Sequence, residues 1–409
     1  MNDGPWIDAG EAARLLRVSR ATLYAYVSRG FVRSQAMPGP SRQRRYSRDD
    51  VERLRRRTEE RRDPAKAAAR ALHWGVPVLE SSIALIDAPR LYYRGHDAVA
   101  LSRSRSVAEV ASLIWTGRFD IGFPQSVHDA PEAGLQNQTR PTAGGRGDDL
   151  PFVARAQSVL AAASTRDPLA FDLRGGGVAL TGWRILALLG QTATSATRAG
   201  GPIDQTLART WRAGSGGADV LRSALILCAD HELNVSSFTA RCVASAGSNP
   251  YAVVIAGLSA LQGTRHGGAG ARVEAMLETM RRARNVKTAV AERLGRGEPI
   301  DGFGHPLYRT GDPRAVALLG MLRERYSKSA ELAFVINVAD AAASAIREKP
   351  NVDFALAAVA RVLRLPSGSP LTIFAIGRTI GWIGHAIEQY ETGQLIRPRA
   401  KYVGVVPSQ

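Results

Sequence analysis

The sequence predicts a mainly α protein in which a large helical body follows a small, basic helix-turn-helix. Three observations carry that expectation. The 409-residue length exceeds one ordinary core and calls for two or three units. Through most of residues 65–409, apolar residues recur at spacings of three and four, with Gly and Pro between the runs. Charge is uneven: through Arg70 there are 17 basic and 9 acidic residues, so +8 of the chain's +17 sits in its first sixth.

The first element is read from WIDAGEAARLLRVSRATLYAYVSRGFV. Ala12, Leu15 and Leu16 give one apolar face to a short helix. RVS makes a tight turn, and Ser19 is placed to cap a second helix over about residues 20–28. That helix is expected to expose Arg20, Thr22 and Tyr26 and to turn Leu23 and Val27 inward, with Gly30 ending it. Two short helices joined this way form the motif whose second helix enters a major groove.

SQAMPGPSRQRRYSRDDVERLRRR follows. Pro38, Gly39 and Pro40 predict a hairpin tip or loop. Arg42, Arg44 and Arg45 lead into Tyr46, and Ser47 caps a helix from Arg48. A basic hairpin here reads as a wing that touches phosphates. Over about 50 residues the stretch resembles winged helix-turn-helix domains of the MerR and excisionase type. The resemblance implies double-stranded DNA as a partner of residues 1–62, through Arg20, Thr22, Tyr26, Arg42, Arg44 and Arg45. A protein–protein module that kept the fold is the alternative. Arginine is abundant throughout the chain, so composition alone leaves both open. RRTEERRDPAKAAARALHWG, charged and then Ala-rich, predicts a helical linker.

The main body reads as helix after helix: SVAEVASLIWTGRF, ALILCADHELNVSSFTARCVASAG, YAVVIAGLSALQG, AVALLGMLRERYSKS, ELAFVINVADAAASAIREK, FALAAVARVLRL and LTIFAIGRTIGWIGHAIEQYETG. Few runs alternate as strands do. SVHDAPEAGLQNQTRPTAGGRGDDL predicts an irregular surface insertion. No stretch approaches the roughly 18 apolar residues of a membrane helix. The first residues lack the apolar core of a signal peptide, so a cytoplasmic protein is expected. Cys228 and Cys242 sit in apolar surroundings without metal-ligand spacing, which predicts buried free thiols and no metal site.

Seven histidines are present, and three stand beside glycines or turns. His231 lies in ADHELN, His266 in TRHGGAGARVEAML and His305 in DGFGHPLYRTGDPRA. Asp353 lies in KPNVDF, Arg378 in FAIGRTIGW, and Arg397 and Arg399 in LIRPRAKYVG. The glycines after His266 remove bulk and permit unusual backbone angles. A helix start suits a neutral imidazole. Several guanidinium groups imply a di- or tricarboxylate ligand, because they clamp carboxylates bidentately. An aspartate beside a neutral histidine suits removal of a proton next to a carbonyl. Neither a serine elbow nor a reactive thiolate is evident.

These blocks resemble citrate synthase. LYYRGHDAVAL, EVASLIWTGRF, DHELNVSSFTAR, HGGA, GFGHPLYRTGDPRA, PNVDF, FAIGRTIGWIGHAIEQ and RPRAKYVG follow in the family's order across nearly all of residues 65–409. The resemblance implies a large helical domain (63–267 with 355–409) and a smaller one (268–354) that closes over the substrates. It implies an acyltransferase that joins acetyl-CoA to oxaloacetate, with no permanently bound cofactor. By the same resemblance, His266 steadies the enol of acetyl-CoA, Asp353 takes the methyl proton, and His305 polarises and protonates the ketone. His231, Arg314 and Arg378 hold oxaloacetate, Arg397 is supplied across a homodimer, and residues 298–305 lie near CoA.

The chain departs from the family's pattern in places. Gly270 and Ala271 follow HGGA, Arg265 precedes the histidine, Pro306 follows His305, and Ala355, Leu356 and Ala357 follow NVDF. Arg265 is expected either to keep His266 neutral or to grip a CoA phosphate. Two variants of the reading stand beside the first. One is 2-methylcitrate synthesis from propionyl-CoA. The other is a non-catalytic metabolite sensor that acts as a DNA-binding regulator.

Overall fold

Two units form, Met1–Glu80 and Ser81–Gln409, each with its own hydrophobic core. The computed structural model describes residues 6–36, 44–62, 79–119, 150–195, 201–400 and 402–405.

In the first unit, β1 (Trp6–Ile7) leads into α1 (Ala9–Leu16), α2 (Arg20–Ser28), β2 (Ser34–Ala36), β3 (Arg44–Ser47) and α3 (Arg48–Arg62). Asp8 caps α1 by accepting the N–H groups of Gly10 and Glu11. Arg17 ends that helix in the left-handed region. Ser19 accepts the Thr22 N–H at 3.2 Å and starts α2, as its sequence position predicts. The strands pair antiparallel in the order β1-β3-β2, with Ser34 opposite Tyr46. Ile7, Ala12, Leu16, Leu23, Val32, Tyr46 and Val51 fill the core.

One expectation is corrected. Tyr26 does not project from α2: it is half-buried, packs on this core and meets Phe31 edge-on. With Leu23 inward, the residues three and four further on share its face, so Tyr26 goes in with Val27. Tyr24 is the exposed aromatic, at 51%. Thr22 is half-buried, with its hydroxyl 2.9 Å from that of Ser19. Arg20, Arg44 and Arg45 are exposed. Arg42 and the Pro38-Gly39-Pro40 tip lie outside the described residues, as does the linker beyond Arg62.

The second unit opens with an antiparallel meander of β4 (Ala84–Asp87), β5 (Arg90–Tyr93) and β6 (His96–Asp97). These strands are too short for a period-two pattern to show. Helices follow: α4 (Ala98–Ser104), α5 (Val107–Thr116), α6 (Phe152–Ser164), α7 (Gly175–Thr194), α8 (Ile203–Thr210), α9 (Gly217–Leu227), α10 (Val235–Ser245) and α11 (Pro250–Leu261). Then come α12 (Gly268–Arg282), α13 (Val286–Gly295), α14 (Pro313–Arg325), α15 (Ala330–Ile346), α16 (Val352–Val362) and α17 (Ser369–Thr392). Apart from Leu150, the expected irregular insertion lies outside the described residues. Among those residues, no helix is long and apolar enough to cross a membrane.

The 24-residue α17 is the central post. It is buried on nearly all sides and packs against α5, α7, α9, α10, α11 and α16. A helix apolar all round belongs inside a core. Burial of Trp382, which is fully enclosed, contributes roughly 2–3 kcal/mol. Gly377 permits the close approach to α9: a Cβ there would sit 2.5 Å from the Leu225 carbonyl oxygen. That contact sets the depth of the neighbouring Arg378.

The run ALILCADHELNVSSFTAR, read as one helix, is two. α9 stops at Leu227, and Asn234 caps α10 by accepting the N–H groups of Ser236 and Ser237. Asn, like Asp and Ser, draws backbone N–H groups away from a continuing helix. Both cysteines are free thiols, but only Cys228 is buried; Cys242 is half-buried.

Candidate active site

His231 sits in the break between α9 and α10. It is buried, and its Nε2 lies 3.0 Å from the hydroxyl of Tyr308. Its ring meets that of His305 at 5.0 Å between centroids, nearly perpendicular. Burial, followed by the charges of Arg314 and Arg378, drives the His231 pKa well below the ordinary imidazole value.

His305 lies in the loop before α14. The Leu307 N–H donates to its Nδ1 at 3.2 Å, and its ring stacks at a tilt on Tyr308, 5.0 Å away. Burial first, then Arg314, bring its pKa down to about 4.

Asp312 and Pro313 start α14, a cap followed by proline at the first helical position. Both oxygens of Asp312 hold the guanidinium of Arg314. Burial works against the Arg314 charge, but Asp312 more than offsets it and the pKa rises. Arg378 projects from mid-α17 and is completely buried. Its Nε donates to the Cys228 carbonyl at 2.8 Å, and its guanidinium carbon lies 4.7 Å from the Phe374 ring centroid. Its two terminal nitrogens have no hydrogen-bond partner. Buried donors are nearly always satisfied, so this pair is fitted to an anion.

His266 directly precedes the start of α12. Its Nε2 is 2.8 Å from the Ser236 hydroxyl, which also accepts the Trp382 indole N–H at 3.2 Å. Its ring stands edge-on to Phe374, the ring that the Arg378 guanidinium also meets. Burial, then the Arg378 charge, bring the His266 pKa down to about 4. Those are the forces that keep it neutral. Arg265, expected to contribute, is exposed and is not one of them. The glycine argument is also corrected. Gly267 has an ordinary helical φ of −66°; what it supplies is room, because a Cβ would lie 2.3 Å from the Leu261 carbonyl oxygen. Gly270 is helical and has space for a side chain.

Asp353 occupies the first turn of α16, where Asn351 caps by accepting its N–H at 3.0 Å. Desolvation pushes its carboxyl up to about 6, against the opposing charges of Arg314, Arg272 and Arg378. The segment before it is stitched to the His305 loop. The Gly304 N–H donates to Lys349 and the Asn351 N–H to Gly302, each at 2.9 Å. Gly302 has φ +84°, and a Cβ would press on Val273 and Phe354, so only glycine suits it. The Val352 N–H donates to Asp312 at 3.0 Å.

His231, His305 and Arg314 thus gather around Tyr308. His266 and Arg378 share Phe374, and Asp353 feels the charges of both arginines. Arg397 is exposed beyond α17 and forms none of these contacts. Sequence reasoning missed Tyr308, Asp312, Ser236 and Phe374. Asp312 was legible as a cap ahead of proline; Tyr308, Ser236 and Phe374 had no signal of their own. Among the described residues, no cluster of His, Cys, Asp and Glu is arranged to hold a metal ion.

The sequence profile of the citrate synthase C-terminal domain matches residues 71–399, and a helix-turn-helix domain profile matches residues 6–58. Citrate synthase 2 of Bacillus subtilis is 39% identical over 189 residues, which are 46% of this chain and 51% of that protein. The chain therefore spans about half the length of that relative. The citrate synthase of Haloferax volcanii is 33% identical over 360 residues, covering 81% of this chain and 94% of that one. A citrate synthase of Thermoplasma acidophilum, solved as a ternary complex with carboxymethyl coenzyme A and oxaloacetate, has the same fold: TM-score 0.69 at 24% identity, over 83% of this chain and 97% of that one. With the profile spanning most of the chain, the protein belongs to the citrate synthase family and carries a helix-turn-helix domain ahead of its family body.

Proposed function

We propose that the body condenses acetyl-CoA with oxaloacetate to give citrate and CoA. The observation that carries this reading is the buried Arg378, with two unpartnered guanidinium nitrogens facing a carboxylate's needs, among imidazoles held neutral. Arg378, Arg314 and His231 hold the carboxylates of oxaloacetate. Asp353 takes a methyl proton from the thioester while His266 donates to its oxygen, forming the enol. The enol carbon attacks the ketone carbon, and His305 delivers a proton to the new alkoxide. Water then cleaves the citryl thioester, releasing CoA as the thiol. Arg397 completes the site from the second subunit of a homodimer, and residues 298–305 lie along CoA. Closure of a small domain (268–354) on a large one (63–267 with 355–409) excludes water from the thioester.

The test is thiol release with acetyl-CoA and oxaloacetate, repeated with propionyl-CoA. Release with acetyl-CoA that is lost in Asp353→Asn supports the reading. Faster release with propionyl-CoA assigns 2-methylcitrate synthesis instead. A second reading, a metabolite-sensing regulator, is favoured by one feature of the first unit: an open surface hollow bordered by Arg14, Arg17 and Arg20. Oxaloacetate binding without CoA release, together with salt-sensitive binding of a DNA duplex, supports the sensor.

A further inference from the structure

The turn 305–308 touches both imidazoles at the ketone end, each at a single nitrogen. The Leu307 N–H is a donor only, so the His305 Nδ1 that receives it carries no proton. A neutral His305 therefore holds its proton on Nε2. At His231 the arrangement is reversed. Its Nε2 faces the Tyr308 hydroxyl at 3.0 Å. Of the two possible bonds, the stronger has the phenol O–H as donor and an unprotonated imidazole nitrogen as acceptor. That preference has the Tyr308 hydroxyl donate to Nε2 and leaves the His231 proton on Nδ1.

We propose that Tyr308 is a positioning residue, and that the turn 305–308 fixes the protons of His231 and His305 on opposite ring nitrogens. The phenol is buried at 2% exposure and in ring contact with both histidines. Burial also pushes its own pKa up to about 12, so it remains a donor across the working range. The consequence for binding rests on the proposed function; the tautomer assignment does not.

The test uses the full-length protein with ¹⁵N-labelled histidine, the His231 signals being assigned by their loss in His231→Gln. In the wild type, His231 shows a protonated Nδ1 and a hydrogen-bonded, unprotonated Nε2. Tyr308→Phe removes the donor and leaves a mixture of tautomers. It also raises the KM for oxaloacetate about tenfold, the worth of one hydrogen bond to a buried group, with a smaller change in kcat. Should Tyr308→Phe fail to fold, 3-fluorotyrosine at position 308 is a near-isosteric, stronger donor and shifts the Nε2 resonance further from its unbonded value. A wild-type His231 protonated on Nε2, or a His231 spectrum unaltered by both changes, overturns the proposal. A wild type without turnover overturns the proposed function and leaves the spectroscopic result decisive.

Discussion

Asp312 and Arg314 hold each other on two edges: Oδ1 takes the guanidinium Nε at 2.9 Å and Oδ2 takes Nη2 at 2.8 Å, with both side chains nearly sealed from solvent. Oδ2 also accepts the Val352 N–H, so the same carboxylate tethers the start of α16. Asp312→Asn leaves a buried guanidinium without its counter-charge. We expect a loss of roughly 3–5 kcal/mol, measured by urea denaturation. The pH dependence has a defined sign. Burial opposes the Asp312 charge, but Arg314 prevails and holds its pKa below the ordinary carboxylate value. Its contribution is therefore complete above about pH 4 and is lost as pH falls through the folded value.

Asp353 is displaced the other way, to about 6. A base must be ionised to take a proton, so kcat/KM falls about tenfold per pH unit below that value. The imidazoles of His266 and His305 titrate near 4 and leave this limb to Asp353. A profile flat from pH 7 to pH 5 contradicts the assignment. Asp353→Asn loses the limb along with the turnover.

Arg378 sets stability against binding. Its guanidinium is buried with two donors unmade, a costly arrangement without a ligand. Ligand-free Arg378→Met is expected to be more stable than the wild type by about 1–3 kcal/mol, measured by urea denaturation. Oxaloacetate then raises the melting temperature of the wild type and not of the variant. A variant that is less stable and still responds to ligand refutes this.

Under the DNA-binding reading of the first unit, Arg20→Ala weakens duplex binding and reduces the salt dependence by about one charge, and an unchanged affinity contradicts that reading. Tyr24→Ala weakens binding without loss of stability, because the ring is exposed. Tyr26→Ala lowers the unit's stability instead, because that ring lies against its core. Equal effects of the two tyrosines on stability would contradict the burial pattern.

Much of this was readable in the residues themselves. Ser19, Ser47 and Asn234 cap helices because short polar side chains compete for backbone N–H groups, and Gly30 ends α2 as expected. Arg314, Arg378 and the three histidines were found from their blocks. Side-chain direction was less legible: one turn of helix decides whether Tyr24 or Tyr26 faces outward, and the decision belongs to Leu23. Tyr308 was hidden because an aromatic in a loop ordinarily signals packing. The contacts that give it meaning come from His231, 77 residues away.

The stitch between residues 302–304 and 349–351 bears on timing. In the proposed chemistry, the acid that protonates the new alkoxide and the base that begins the reaction sit on opposite sides of that seam. Neither can be delivered to the substrates alone. A thioester cannot be primed for attack while its proton donor is still absent, and the enzyme is spared a half-built reaction chamber.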